Sequence, residues 1–130
     1  MQGNKINYIY KKFAKNEFIS TSNNEFKISI SNNMFSLKEI SLNINDGIDN
    51  ITGTVSFNNV LKWPDTLINP GSMGYYNFIP FMQCYSQISV MDMDLQGSLY
   101  INGEEIDFNG GKGYIEKNWG SDFPYSWIWV

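Results

Sequence analysis

Histidine is absent from this sequence, and cysteine occurs once, at Cys84. Without histidine the chain can form neither a Ser-His-Asp triad nor a Cys-His pair, and it offers no imidazole ligand to zinc. A lone cysteine cannot form an internal disulfide, which agrees with a reducing compartment. Any catalysis must therefore use carboxylates, lysine, tyrosine or bound water.

Charge is also scarce, because charged residues make up only 17% of the chain and its formal net charge is -4. The lysines are scattered, so no positive face is expected to attract nucleic acid. No apolar run approaches the roughly 20 residues that span a bilayer, and the first residues lack the apolar core of a secretory signal. We therefore expect a cytoplasmic protein with no nucleic-acid partner.

Aromatic residues, in contrast, reach 16% of the 130 residues, a composition typical of a folded domain rather than a disordered tail. This length predicts one domain over residues 1–130 with one core. Apolar and polar residues alternate from residue 26 onward, and no long stretch shows a 3.6-residue period. The chain is predicted to be all-β, an antiparallel meander that forms a barrel or sandwich.

Turn signals organise this meander at Asn32-Asn33, Asp46-Gly47 and Asn102-Gly103, and the first and third are predicted to be two-residue turns. The first turn is predicted to set Ile30 against Phe35, and the third to set Leu99 against Ile106. Around the second turn, alternation predicts one apolar and one polar face, with Val55 and Phe57 on the apolar face.

One segment interrupts the alternation. "LKWPDTLINPGSMGYYNFIPF" contains Pro64, Pro70 and Pro80, so it cannot be a central strand, yet it is rich in apolar residues. A long apolar loop in a compact domain is either a packed plug or a lid over a ligand. Both interpretations remain open from the sequence.

The ending resembles a known family. "WPDTLINPGSMGYYNFIPFMQCYSQISV", "GSLYINGEEIDFNGGKGYIEKNWGSDFP" and "SWIW" are similar to tocopherol cyclases, a branch of the lipocalin-like group that includes carotenoid hydratases. The most specific piece is "EKNWG", followed by Phe123-Pro124 and Trp127. The resemblance implies a lipocalin-like β domain that corresponds to the middle of the family's N-terminal half, and therefore an incomplete barrel.

The resemblance also implies chemistry. Tocopherol cyclases close the tail of a prenylated hydroquinone onto its ring, a reaction that needs no cofactor and no metal. The reaction requires a carboxylic acid that keeps its proton in apolar surroundings and aromatic faces that stabilise a cation. If residues 115–119 are extended, Glu116 and Asn118 share one face, and Lys117 and Trp119 share the other.

These considerations give two sets of candidate residues. The candidate acid–base groups are Glu116, Asn118 and Asp122. The candidate ligand-binding residues are Trp119, Trp127, Trp129, Tyr76, Phe81, Tyr85 and Lys117. A salt bridge from Lys117 to Glu116 or Asp122 is the competing structural interpretation of these residues. Asp92 and Asp94 could form a glycosidase pair or a metal site on one strand face, but no third ligand or turn supports either, and a solvated strand face is favoured.

Three functions remain open from the sequence: a cyclase-type enzyme, a carrier for an apolar small molecule, and a structural β-sheet remnant. The expected partners are an apolar, prenylated-quinol-like ligand, a membrane contacted peripherally as its lipid source, and a second copy paired through exposed sheet edges. Whether the chain is an enzyme is left undecided.

Overall fold

The computed structural model describes residues 8–21, 26–123 and 125–126. Within these ranges, eight strands form one antiparallel sheet. Their bounds are β1 Phe18–Thr21, β2 Lys27–Ile30, β3 Asn33–Ser36, β4 Glu39–Asn45, β5 Asn50–Lys62, β6 Cys84–Ile101, β7 Glu104–Asp107 and β8 Lys112–Gly120. Short 3₁₀ helices occupy Lys15–Glu17 and Gly74–Phe78. The predicted all-β antiparallel class is confirmed.

The strands follow one another as a meander from β1 to β7, each paired with the next. β6 is the longest strand and organises the sheet, because β5 pairs along one edge while β7 and β8 share the other. Within the described ranges the sheet does not close into a barrel, since the first and last strands are not paired. This agrees with the predicted incomplete barrel.

Two of the three predicted turns are confirmed. Asn102 and Gly103 both adopt positive φ, at 52° and 87°, and the hairpin pairs Leu99 with Ile106 as predicted. At the other turn, the carboxylate of Asp46 accepts hydrogen bonds from the backbone N–H groups of Ile48 and Asp49. Turn residues that satisfy their own backbone fix the strand register.

The first predicted turn is wrong in position. Ser31 and Asn32 form the turn, with Ser31 at φ 53°, and Ile28 rather than Ile30 pairs with Phe35. Asn33 is buried in the strand instead, where its side chain donates to the carbonyl of Ile30 and accepts from the backbone N–H of Asn43. A buried amide with both ends satisfied is stable inside a strand, and this displaces the turn by one residue.

The two faces of the sheet differ in character. Val55, Phe57, Val90 and Met93 are buried and form the core on one side, which we call the apolar face. The other side, the polar face, carries residues such as Thr54, Asp94 and Lys112, which register places opposite the core. The predicted alternation around Val55 and Phe57 is thus confirmed.

The loop of residues 63–83 packs against β6 where β5 has ended. The last β5 partner is Lys62, opposite Val90, so among the described strands none continues along that same edge of β6 before Val90. Ser72 occupies this edge: its hydroxyl accepts from the N–H of Ile88 at 2.9 Å and donates to the carbonyl of Ser86 at 3.3 Å. The backbone of the 63–83 loop therefore replaces a strand locally, but Leu67, Ile68 and Phe81 remain exposed and are not packed as the plug interpretation requires.

Candidate functional site

Strand β8 divides the candidate residues between the two faces. Trp119 lies directly opposite Tyr85, and Glu116 lies opposite Ile88. Ile115 packs against the core and pairs with Val90, so the alternating positions Lys117 and Trp119 lie on the apolar face. Glu116 and Asn118 lie on the polar face. The predicted extended strand and its alternation are confirmed.

An aromatic platform forms where the apolar face continues beyond the core. The rings of Tyr85 and Trp119 stack with centroids 5.4 Å apart and planes 11° apart. The ammonium of Lys117 lies 4.9 Å from the centroid of the Trp119 ring, within range of a cation–π interaction. Trp119 remains 38% exposed, so the platform is accessible to a ligand. We call Tyr85, Lys117 and Trp119 the aromatic platform.

Tyr85 also connects this platform to the 63–83 loop. Its hydroxyl donates to the carbonyl of Ile79 at 3.0 Å and accepts from the backbone N–H of Met82 at 3.2 Å. One side chain therefore has two roles, because its ring contacts Trp119 while its oxygen fixes the end of the loop.

Glu116 lies in a small hydrogen-bonded cluster on the polar face. Its carboxylate accepts from the hydroxyl of Tyr114 at 2.9 Å and from the side-chain amide of Asn118 at 3.1 Å. Partial burial and, after it, the hydrogen bond to Glu116 raise the pKa of Tyr114. Tyr114 was missed from the sequence, although its position two residues before Glu116 places it on the same strand face.

Lys117 does not take part in the salt bridge considered from the sequence. Among the described residues, no carboxylate lies within ion-pair distance of its ammonium, which lies over Trp119 instead. The alternation of β8 explains this, since Glu116 and Lys117 are adjacent and point to opposite faces. Glu116 is likewise not a salt-bridge partner within the described ranges.

Asp122 lies apart from both groups, in the turn after β8. Its backbone N–H donates to the carbonyl of Gln83, and its carboxylate accepts from the N–H of Phe123 at 2.9 Å. It contributes to a shallow pocket of about 310 Å³, which is lined by Met82, Gln83, Cys84, Asp122 and Phe123. Cys84 is half-buried and is not joined in a disulfide.

The remaining predicted ligand-binding residues are not part of the platform. Tyr76 and Phe81 lie on the 63–83 loop and are exposed, Phe81 almost completely at 96%. Trp127 and Trp129 lie outside the described residues. The structure therefore brings together Tyr85, Lys117 and Trp119.

Asp92 and Asp94 belong to the polar face, as the solvated-face interpretation predicts. The ammonium of Lys112 lies 2.9 Å from a carboxylate oxygen of Asp92 and 2.8 Å from one of Asp94. Hydrogen bonds from Lys112 and then Asn59 lower the pKa of Asp94. Hydrogen bonds to Asp94 and then Asp92 raise the pKa of Lys112. No cluster of three or more acidic, cysteine or histidine residues suited to a metal ion occurs in the described part of the chain.

Among the described residues, no helix has the length and hydropathy of a membrane-spanning segment. The cytoplasmic location stays a prediction.

The fold is thus an antiparallel β meander with an aromatic platform at one end of its apolar face. A family model described as "Tocopherol cyclase-like" matches residues 3–130. The chain belongs to the tocopherol cyclase-like family, as the resemblance implied.

Two curated plant proteins are similar to parts of the chain. A probable chloroplastic tocopherol cyclase of Oryza sativa subsp. japonica is 33% identical over 72 residues, which are 55% of this chain and 15% of that protein. A chloroplastic tocopherol cyclase of Zea mays is 33% identical over 57 residues, which are 44% of this chain and 12% of that protein. The matched regions are thus small fractions of these relatives. No solved structure matches the chain significantly.

Proposed function

We propose that this domain binds an apolar small molecule of the prenylated hydroquinone type on the aromatic platform. The observation that carries the proposal is the stacked Tyr85–Trp119 pair, with the Lys117 ammonium beside it and the apolar core adjoining it. Such a surface combines an aromatic face, a hydrogen-bond donor and an apolar wall. These match the ring, the hydroxyl groups and the chain of a prenylated hydroquinone.

The orientation of the ligand follows from the same three features. Its ring would lie against the indole of Trp119, and a ring hydroxyl would accept a hydrogen bond from Lys117. Its chain would extend along β8 toward Ile115, which is only partly buried against the core. Burial of the chain supplies most of the affinity, at about 0.8 kcal/mol per buried CH₂ group.

Acid-catalysed cyclisation is less well supported by this geometry. A proton donor must reach the double bond of a bound substrate, within hydrogen-bond range or through one water. Glu116 and Asn118 belong to the opposite face of β8, and Asp122 to the turn beyond it. We therefore keep these three as candidate acid–base groups only for a ligand that reaches the polar face or the pocket beside Cys84.

Membership of the tocopherol cyclase-like family supports the class of ligand that we propose, but not a reaction. The named relatives are tocopherol cyclases, whose matched regions are only 15% and 12% of their length. A domain that binds such a ligand without turnover is consistent with this relationship. Pairing of exposed sheet edges into a homodimer remains a separate prediction.

The proposal is tested by titrating the purified chain with a prenylated hydroquinone under reducing conditions while tryptophan emission is recorded. We expect saturable quenching that is largely lost in Trp119→Phe. Trp63→Phe is the matched control, because Trp63 lies in the loop and not on the platform, and it should keep the quenching. A titration without saturation, or equal loss in both variants, would overturn the proposal.

A further inference from the structure

A cavity of about 540 Å³ lies between the corner that joins β3 to β4 and the end of β5, and we call it the lysine cavity. This volume is typical of sites for small molecules. The described residues that line the cavity include no member of the aromatic platform. The lysine cavity is therefore a candidate site separate from the platform.

Positive charge is concentrated at this cavity. The sequence has nine basic residues, all of them lysines, and three of these line the cavity: Lys27, Lys38 and Lys62. Glu39 is the one acidic residue among its described lining residues. The cavity is thus positively charged, whereas the whole chain has a formal net charge of -4.

Two of these lysines are available to a ligand. Within the described ranges, no carboxylate lies at ion-pair distance from the ammonium of Lys27 or Lys62, whereas Lys38 already has a partner. The formal charges of Lys27, Lys62 and Glu39 leave one net positive charge. A ligand with one negative charge would balance it, and the low-dielectric walls of a cleft strengthen that attraction.

The rest of the lining is mainly apolar. Its apolar members are Phe26, Met34, Leu37 and Val60. Leu37 and Val60 pack against the buried core, whereas Phe26 is 44% exposed. The cavity therefore has an apolar wall beside its ammonium groups, an arrangement that suits a ligand with an apolar chain and a charged head group.

Hydrogen bonds fix the wall that the β3–β4 corner contributes. The hydroxyl of Ser36 donates to the carbonyl of Glu39 at 3.0 Å and accepts from the N–H groups of Lys38 and Glu39. The carbonyl of Lys38 accepts from the N–H of Phe57 at 2.7 Å, which joins the corner to β5. Because this wall is formed before a ligand arrives, less conformational entropy is lost on binding.

From this geometry we infer that the lysine cavity binds an amphipathic carboxylate, a molecule whose apolar chain ends in one carboxyl group. The chain would lie against Leu37 and Val60, and the carboxylate would accept hydrogen bonds from Lys27 and Lys62. A carboxylate is favoured over a phosphate because the sequence has no arginine and the described lining includes no helix N-terminus, two features that commonly hold phosphates. This inference goes beyond the ligand binding proposed for the platform and does not depend on it.

The test is isothermal titration calorimetry of the purified chain with decanoate, below the concentration at which decanoate forms micelles. We expect one ligand per chain, bound at least about tenfold more tightly than decanol, because the two probes differ mainly in the charge of the head group. Octanoate has two fewer CH₂ groups and should bind roughly tenfold more weakly than decanoate.

Substitution of the lysines tests the position of the carboxylate. Lys62→Met and Lys27→Met should each weaken decanoate binding about tenfold and change decanol binding by less than about twofold, since each removes a charge-assisted hydrogen bond but keeps a long side chain. Lys15→Met is the matched control, because Lys15 is exposed in the first 3₁₀ helix and lies outside the described lining. It should change decanoate binding by less than about twofold.

Several results would overturn the inference. Decanoate that does not saturate the chain, or that binds no more tightly than decanol, would exclude the site, and tighter binding of decyl phosphate would exclude the carboxylate. An equal loss in Lys15→Met and Lys62→Met would indicate long-range attraction instead of a site. A loss in Lys117→Met but in neither cavity variant would place the ligand on the platform. Quenching by the prenylated hydroquinone should persist in Lys62→Met, which separates failure of this inference from failure of the proposed function.

Discussion

Tyr85 and Trp119 are directly paired across β6 and β8, and their rings stack at a centroid distance of 5.4 Å. This contact lies on the apolar face beyond the buried core, where Trp119 is partly exposed to solvent. Because the hydroxyl of Tyr85 also holds Ile79 and Met82, the contact joins the sheet, the loop and the candidate binding surface.

The two roles of Tyr85 are separable by substitution. Tyr85→Phe keeps the ring but removes the hydroxyl, so ligand-induced quenching should persist. The backbone N–H of Met82 loses its acceptor, which is worth about 1 kcal/mol, and should exchange with solvent roughly fivefold faster. Amide hydrogen exchange checks this. Tyr85→Leu should lose both properties, and quenching that disappears already in Tyr85→Phe would contradict the assignment.

Substitutions of the adjacent β8 residues Glu116 and Lys117 should affect ligand binding to different extents. Lys117→Met removes the hydrogen-bond donor beside Trp119 and should weaken ligand binding by roughly tenfold. Glu116→Gln keeps the shape of the side chain but exchanges one acceptor oxygen for an amide donor on the polar face. Because the platform lies on the other face, ligand binding should change by less than about twofold. Fluorescence titration measures both. A strong loss of binding, or of any cyclised product, in Glu116→Gln would move the site to the polar face.

The glycine opposite Val55 is required by the close approach of β5 and β6. Gly97 has φ 122°, and a Cβ atom there would collide with the backbone carbonyl of Thr54. Gly97→Ala should therefore lower the free energy of unfolding by about 1–3 kcal/mol, as strained backbone positions do. Urea unfolding measures the effect. The neighbouring Ser98→Ala is the control and should remain close to the unmodified protein.

The Asp46 turn should give the stability a dependence on acid pH. Hydrogen bonds from the backbone of Asp49 and Ile48, and then from Lys11, lower the pKa of Asp46 from 3.8 to about 2. Since the native pKa is the lower one, this stabilisation is present above about pH 4 and is lost as the pH falls toward 2.

The matching variant is Asp46→Asn, which should be less stable than the unmodified chain at neutral pH, with the difference shrinking below pH 4. Urea unfolding at several pH values measures this difference. Glu104→Gln is the control, because the Glu104 side chain makes no hydrogen bond with a described residue. A difference that grows in acid would contradict the role of Asp46.

Much of the sheet could be predicted because its signals are local. Asn102-Gly103 favours positive φ at both positions. Only one register of β5 on β4 places Val55 and Phe57 on the apolar face, since a shift of one residue would turn both to the other side. The predicted position of the first turn was wrong because the burial of Asn33 depends on Asn43, which is ten residues away. A two-residue pattern does not contain that contact.

The candidate site was predictable only in part. Alternation correctly separates Glu116 from Trp119, since it follows from the strand period alone. The stack on Tyr85 was not predictable, because it depends on the β6–β8 register and on an irregularity between Ile88 and Val90. The hydrogen bond of Ser72 to the β6 backbone depends on the folded loop, and no sequence pattern predicts it.

The most direct test of the account is photolabelling of the chain with a diazirine-bearing prenylated hydroquinone, followed by peptide mass spectrometry. We predict label on the aromatic platform, at Tyr85, Lys117 or Trp119, and its displacement by excess unlabelled compound. Label on Tyr114, Glu116 or Asn118 instead, or label that excess compound does not displace, would contradict binding on the apolar face.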